Sequence, residues 1–385
     1  MADLLSTMND LKAVIEKEGA ATLRQNASPQ EIHEFGDRLE QFEPFKTISR
    51  KFLSFPMGGG RTGRGVSGRW VYFRMLDGIE PQVLIDQAQA TLAANRYEAR
   101  EIRAVRGIEI SEVHALLDTL SLVPSGALTH SWCHEQAFPR GMQGSFCTEN
   151  TAALVHAIVV EPAFRDGTDE EHEKAFEAFR NKRAKDAARV RLALGLASGG
   201  PVQMPFRYSE VENSSLFREA MSVFSQDGNA HFWGVDREVN IEEVRSFLAE
   251  FEKMDSPLAL ELSIDRLLRS RVFGELENRI IDLGMAAEIA LMHSKRGVSD
   301  GKSEITNKMA NRGAWLIGST PDERVEVVKQ LSDLYSARSV VVHTGEAKAA
   351  LLPRVADFDR IVAQIVIALL KRGAFPDWKR LVLGG

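Results

Sequence analysis

The sequence predicts an α+β N-terminal region followed by an all-α helical bundle, and three observations carry that prediction. Strand candidates at 156–161, 203–208 and 231–235 are interleaved with helices in the first 255 residues. From Ser256 onward strand signals fade. Long amphipathic helices then follow one another at about 258–271, 274–293, 303–317, 322–343 and 354–372. At 385 residues the chain is long for one core, so two units are expected, 1–255 and 256–385, with no internal repeat.

The N-terminal elements are read in order. Leu4, Met8, Leu11 and Ile15 recur at helical steps and predict a helix over 4–18. Ser28-Pro29-Gln30-Glu31 carries a capping Ser, a first-turn Pro and a Glu placed to close a capping box. The stretch 58–68, GGGRTGRGVSG, predicts a loop presenting Arg61 and Arg64, with Arg69 just after it. It lacks the Gly-Lys-Ser/Thr that opens a phosphate-cradling helix, so a solvated basic loop is expected. Trp70 to Met75 reads as a strand, and Pro81 opens a helix over 81–94. Arg96 to Ile110 fits helix or strand equally. Residues 169–197 predict a long helix bearing Arg180, Lys182, Arg183, Lys185, Arg189 and Arg191, interrupted only by Asp186. That cluster is either a solvated face or an RNA-facing stripe.

Composition narrows the function classes. With 44% hydrophobic and 26% charged residues, the chain is neither disordered nor collagen-like. The 48 Lys and Arg against 54 Asp and Glu leave a net charge of −6, which excludes a uniformly basic nucleic-acid coat but allows a local basic face. Two cysteines, Cys133 and Cys147, cannot build a disulfide framework and point to a reducing compartment. The N-terminus has no basic, then long apolar leader, and the run Ile361–Leu370 is too short to span a bilayer. A cytoplasmic protein without a membrane partner is expected. His130, Cys133, His134 and Cys147 lie close in sequence, but H-x-x-C-H is not a zinc-ligand spacing, so no metal and no cofactor is assigned.

The informative pattern lies in the C-terminal helices. Val325, Val328, Leu331, Tyr335 and Val342 make a predicted inward stripe, and Arg338 falls on it. Glu288 shares a face with Ile281, Met285 and Met292, and Arg312 shares one with Ile305, Met309 and Leu316. Three inward charges that can pair imply either a structural ion-pair network or a phosphodiester pocket. His343 follows Arg338 by five residues, which on an ideal helix places it about 140° around and about 7.5 Å along. Gly345 is placed to end the helix, and the negative end of a helix favours a cation in its last turn. His343 therefore reads equally as a cap or as an acid–base group beside a scissile phosphate.

The string Leu334-Tyr335-Ser336-Ala337-Arg338-Ser339-Val340-Val341-Val342-His343 resembles the R-x4-H signature of HEPN domains, the higher eukaryote and prokaryote nucleotide-binding fold. The wider context is similar to the Apea-like branch: a helix with an inward Glu (Glu288), then Arg312-Gly313-Ala314-Trp315-Leu316-Ile317, then the Tyr-x-x-Arg-Ser and His string, and finally Pro376-Asp377-Trp378. The similarity covers about 260–385. One departure is that Thr344 intervenes before Gly345, where the family has Gly directly after His.

The resemblance implies a metal-independent endoribonuclease that leaves a 2′,3′-cyclic phosphate and a 5′-hydroxyl. It assigns acid–base work to His343 and charge stabilisation to Arg338. Ser339, Glu288, Arg312 and Tyr335 would support them. It implies a homodimer with a composite site, RNA as substrate, and an antiphage abortive-infection role in which residues 1–255 sense a phage-derived or protein trigger. Arg180, Lys182, Arg183, Lys185, Arg61 and Arg64 are the RNA-contact candidates. A catalytically inactive dimerisation or nucleotide-binding module, and a complex subunit that binds protein through its N-terminal region, are the competing readings.

Overall fold

A computed structural model describes residues 2–56, 60–139, 147–166, 169–212, 215–218, 224–226, 236–272, 274–293 and 305–383. The first part carries α1 (Ala2–Glu18), α2 (Ala20–Asn26), α3 (Pro29–Leu39), α4 (Phe45–Arg50), β1 (Phe52–Ser54), β2 (Gly60–Thr62), α5 (Val66–Leu76) and α6 (Pro81–Ala94). Next come β3 (Tyr97–Glu109), β4 (His114–Leu117), β5 (Leu120–Pro124), α7 (Trp132–Ala137), β6 (Thr151–Val160), β7 (Phe164–Arg165), α8 (Asp169–Ser198), β8 (Gln203–Val211), β9 (Phe224–Gln226) and α9 (Ile241–Lys253). The rest is helical: α10 (Pro257–Arg271), α11 (Leu276–Met292), α12 (Ile305–Ile317), α13 (Pro321–Thr344), α14 (Val355–Arg372) and α15 (Trp378–Val382). A mixed α/β region thus precedes a helical one, as the texture of the sequence predicts.

Local chemistry sets many of these boundaries. The predicted capping box opens α3: the Glu31 amide donates to Ser28 Oγ at 3.1 Å, and the Ser28 amide donates to the Glu31 carboxylate at 2.8 Å. Helix α6 begins at Pro81 and runs to Ala94, matching the predicted span. The ambiguous stretch after Arg96 is the strand β3, and the candidates at 156–161 and 203–208 fall in β6 and β8. Residues 231–235 lie outside the described residues.

Two expectations are corrected here. The segment 58–68 is not a single loop, because Gly60–Thr62 pairs antiparallel with β1 and α5 starts at Val66. Trp70 to Met75 is helix, not strand. Trp70, Val71, Tyr72, Met75 and Leu76 are all buried, and a short apolar run has no period to separate helix from strand. Tertiary contact decides it. A Cβ on Gly68 would lie 2.3 Å from the Gly36 Cα, so α5 and α3 cross with two glycines in contact.

Strand β3 organises the sheet, whose order is β4-β5-β6-β3-β8-β9 with antiparallel neighbours. A smaller sheet has the order β2-β1-β7. Side chains alternate between faces along β6: Ala152 and Leu154 join one buried cluster, Ala153 and Val155 another. The first cluster continues through α8 (Val190, Leu194) and α9 (Phe247, Phe251) into α10, α11 and α14. Residue 255 therefore marks a change from sheet to helix without a break in the hydrophobic core. Among the described residues no helix is long and apolar enough to cross a membrane.

Charge also enters this core. Glu101 of β3 is 4% exposed and receives Arg183 Nη1 at 2.9 Å and Arg103 Nη2 at 2.7 Å. Arg183 is 3% exposed and lies 4.2 Å from the Phe179 ring. Burial pushes its guanidinium pKa down, and the Glu101 charge opposes that. Removing the acid would leave two cations facing each other away from water. Glu101→Ala is expected to destabilise the fold by about 3–5 kcal/mol in a denaturant titration, whereas exposed Glu98→Ala should stay within about 0.5 kcal/mol.

Candidate active site

Helix α13 carries the sequence candidates, and its ends are built by capping. Thr320 and Glu323 form a reciprocal capping box and Pro321 fills the first turn. The helix stops at Gly345, which has φ 76° and donates its amide to Val341 O at 2.8 Å. Thr344 completes the last turn, its Oγ1 donating to Val340 O at 2.9 Å. Beyond the helix, Ala347 N donates to Glu277 Oε1 at 2.9 Å, which ties the chain after His343 to the start of α11.

The buried stripe of α13 is Leu331, Leu334, Ala337 and Val341. The predicted stripe shares only Leu331 with it. Val325 and Val342 are 69% and 54% exposed, and Val328 and Tyr335 lie at the margin of the core. The true stripe is rotated by roughly one residue, about 100°. Arg338 consequently sits on the flank of the helix instead of inside it.

Two contacts hold Arg338 there. Its Nη2 lies 3.3 Å from Glu288 Oε2, with side chains 26% and 33% exposed. Its aliphatic stem lies against Gly284, where an added Cβ would meet Arg338 Cγ at 2.8 Å and Cβ at 3.0 Å. Its Nε is buried and has no hydrogen-bond partner among the described residues. Sequence reading missed Gly284, although a glycine one helical turn before Glu288 on the same face signals a close helix approach.

Arg312 does not join this pair in the way the three-charge reading expects. Its Nη1 donates to Leu291 O at 2.9 Å, satisfying a carbonyl at the C-terminal end of α11, and its guanidinium lies 5.3 Å from the Trp378 ring. The Trp378 indole N–H in turn donates to His293 O at 2.8 Å. Arg312 thus fixes the end of α11 and the docking of α15. The inward charges are one half-exposed pair and one separate helix-end contact, not a buried network of three.

His343 is exposed and makes no hydrogen bond among the described residues. Helix α13 continues through it, so the rotation of about 140° from Arg338 stands and the last turn does not bring the two side chains together. Half-buried Ser339 lies between them around the axis, about 40° from His343. Exposed Val340 and Val342 flank His343.

The basic candidates divide. Lys182 and Lys185 are exposed and Arg180 is half-buried on α8. Arg183, buried against Glu101, is withdrawn from any RNA-facing stripe. Arg189 is bound to Glu252 and Glu261 at 2.6 and 2.7 Å, and Arg191 to Asp265. Exposed Arg64 lies 3.9 Å from Asp37, and Arg61 belongs to β2 opposite Leu53. The four residues that invited a zinc reading have other roles. His130 lies 2.9 Å from Glu135, His134 is buried with Nε2 donating to Ser125 O at 3.0 Å, and both cysteines are buried. Burial pushes the Cys133 thiol pKa up. Among the described residues no group of three His, Cys, Asp or Glu side chains is placed to hold a metal.

Comparison of the chain with protein-family models, with curated proteins and with solved structures gives no match.

The half-exposed pair predicts a small energy where a buried network would predict a large one. Glu288→Ala should cost less than about 1 kcal/mol by chemical denaturation. Gly284→Val, which forces α11 and α13 apart at Arg338, should cost about 1–3 kcal/mol. The reverse order of the two would contradict this packing.

Proposed function

We propose that the chain is a metal-independent endoribonuclease of the HEPN type, acting as a homodimer with a composite site. The observation that supports it best is the state of the two motif side chains. Arg338 is braced by Gly284 and Glu288 with its side chain 26% exposed, and among the described residues the His343 side chain makes no hydrogen bond at the exposed end of the same helix. One side chain is fixed where charge would be stabilised; the other is available to move a proton.

In this reading the 2′-hydroxyl of the substrate loses its proton to His343 while its oxygen bonds to the adjacent phosphorus. The P–O5′ bond breaks, and the departing 5′-oxygen takes up a proton as the 2′,3′-cyclic phosphate closes. Arg338 neutralises charge on the non-bridging oxygens as the phosphorane forms. Ser339, between them on the helix, orients the phosphate. Glu288 keeps Arg338 extended, while Arg312 and Tyr335 shape the helix contacts around it. Because about 140° separates Arg338 from His343 within one chain, the site needs His343 of one copy beside Arg338 of another. Exposed Val340, Val342 and Leu352 provide apolar surface for that meeting. Residues 1–255 then serve as the sensing or restraining part of an antiphage effector, with a phage-derived or protein trigger.

The second reading is an inactive dimerisation or nucleotide-binding module. It is favoured by the existing ion pair, in which Glu288 already occupies the Arg338 guanidinium. Activity separates the two. His343→Ala should reduce RNA cleavage by about 10²–10⁴-fold and remove growth toxicity while stability changes by no more than about 0.5 kcal/mol. Cleavage should persist in EDTA and leave cyclic phosphate ends. Undiminished cleavage by His343→Ala, or cleavage that stops on chelation, would remove the ribonuclease reading.

RNA contact through α8 rests on its exposed lysines. Neutralising Lys182 and Lys185 together should flatten the plot of log binding constant against log salt by about 1.4, from about 0.7 per phosphate contact on a single strand. An unchanged slope returns both to a solvated face.

A further inference from the structure

Where the C-terminal end of α10 meets the first turn of α11, with the start of β8 as a third wall, the structure holds a cleft of about 510 Å³. Arg266, Arg269, Arg279, Asn278, Gln203 and Asp282 line it. Its walls carry three guanidinium groups against one carboxylate. Neither the motif nor the proposed chemistry uses any of these residues.

Among the described residues the charge in this cleft is only partly compensated. Asp282 is taken by Arg266, Nη1 to Oδ1 at 3.0 Å. Asp265, on the same helix, is taken by Arg191, and Asp359 by Arg271 at 2.7 Å. Arg279 donates Nε to the Ser270 carbonyl at 3.0 Å, a neutral acceptor that leaves its charge in place. Arg269 is exposed, and its side chain has neither an ion pair nor a hydrogen bond among the described residues. Two arginines therefore line one cavity with no carboxylate paired to either among the described residues, on a protein whose net charge is −6. Like charges gathered this way repel unless an anion enters.

The surroundings favour one class of anion. The first turn of α11 borders the cleft, and its N-cap residue, Glu275, makes no side-chain cap, so the positive end of the helix adds to the field there. Glu277, the acidic side chain of that turn, accepts from the Ala347 amide and from its own amide, which hold its carboxyl below the usual range. Arg forks match phosphate oxygens, and a cleft of this volume accommodates a ligand of nucleotide size. Asn278 and the Gln203 carboxamide, whose buried Oε1 has no hydrogen-bond partner among the described residues, offer neutral hydrogen-bonding groups for a sugar or base. Ile281 lines the cleft and also packs against Ala337 and Val341, so its wall touches the helix that carries Arg338 and His343.

We propose that this cleft is a phosphate-binding site for a phosphorylated ligand of mononucleotide size, either free or at the 5′ end of an RNA strand. The site stands on its own residues and does not depend on the ribonuclease reading.

The test is isothermal titration calorimetry of the full-length protein with three probes: inorganic pyrophosphate, ATP and a 5′-phosphorylated single-stranded RNA. Wild type is compared with Arg269→Glu, an exposed position whose exchange breaks no side-chain hydrogen bond or ion pair among the described residues, and with Arg279→Ala. At least one probe should bind wild type, and Arg269→Glu should weaken it by about tenfold or more. Loss confined to ATP or pyrophosphate identifies a free ligand; loss confined to the RNA identifies a strand end. His343→Ala should bind pyrophosphate and ATP as wild type does. Failure of all three probes to bind, wild-type affinity in Arg269→Glu, or an equal loss of pyrophosphate or ATP binding in His343→Ala would overturn the proposal.

Discussion

The narrowness of α11 is the constraint on which the helical region depends. Leu283, Ala286, Ala287, Ala290 and Leu291 are fully buried along it, and α10, α12, α13 and α14 all pack on it. A helix can be enclosed on so many sides only where its own side chains are small enough to let the neighbours approach. Gly284 carries this furthest, because the stem of Arg338 occupies the space a side chain would take. The same logic recurs at Gly313 of α12, where an added Cβ would lie 2.3 Å from Leu331. Small residues on two helices thus set the position of α13, and α13 sets the positions of Arg338 and His343.

Each charge in the structure belongs to one of two regimes, and the difference decides what it can do. Arg183 and Glu101 are withdrawn from water and held in place, so their role is architectural. Arg338 and Glu288 are about two-thirds covered, which orients the guanidinium yet leaves it open to a phosphate. Among the described residues Arg269 and Arg279 form neither kind of pair, and the one carboxylate of their cleft, Asp282, is held by Arg266, which leaves the cleft suited to an external anion.

The long helices were legible because their signals are local. The Thr320-Pro321-Glu323 cap and the glycines at 345 and 373 bracket α13 and α14 almost where periodicity places them. Orientation was less legible. Val325 and Val342 count as core by hydrophobicity, but they stand near helix ends where no neighbour covers them, while small Ala337 is enclosed. The helix at Trp70–Met75 was hidden because its apolar residues are buried on nearly every side and its partner, Gly36, is distant in sequence. The α8 cations misled for a related reason. Their acidic partners lie 63 to 82 residues away, so only the fold separates exposed Lys182 and Lys185 from buried Arg183 and Arg189. At the candidate site the rotation of about 140° between Arg338 and His343 was already legible in their spacing; that the helix runs on regularly through His343 to Thr344 was not.

That separation makes the composite site the central claim, and heterodimer complementation tests it most directly. His343→Ala and Arg338→Ala chains are each inactive in this account. When equal amounts are co-expressed and allowed to pair, half the dimers are mixed, and each mixed dimer holds one complete Arg338/His343 site across the interface. Cleavage should return to about a quarter of the wild-type rate, set by two-fold symmetry alone. Mixtures that remain as inactive as either parent, while mixed dimers are shown to form, would contradict the account.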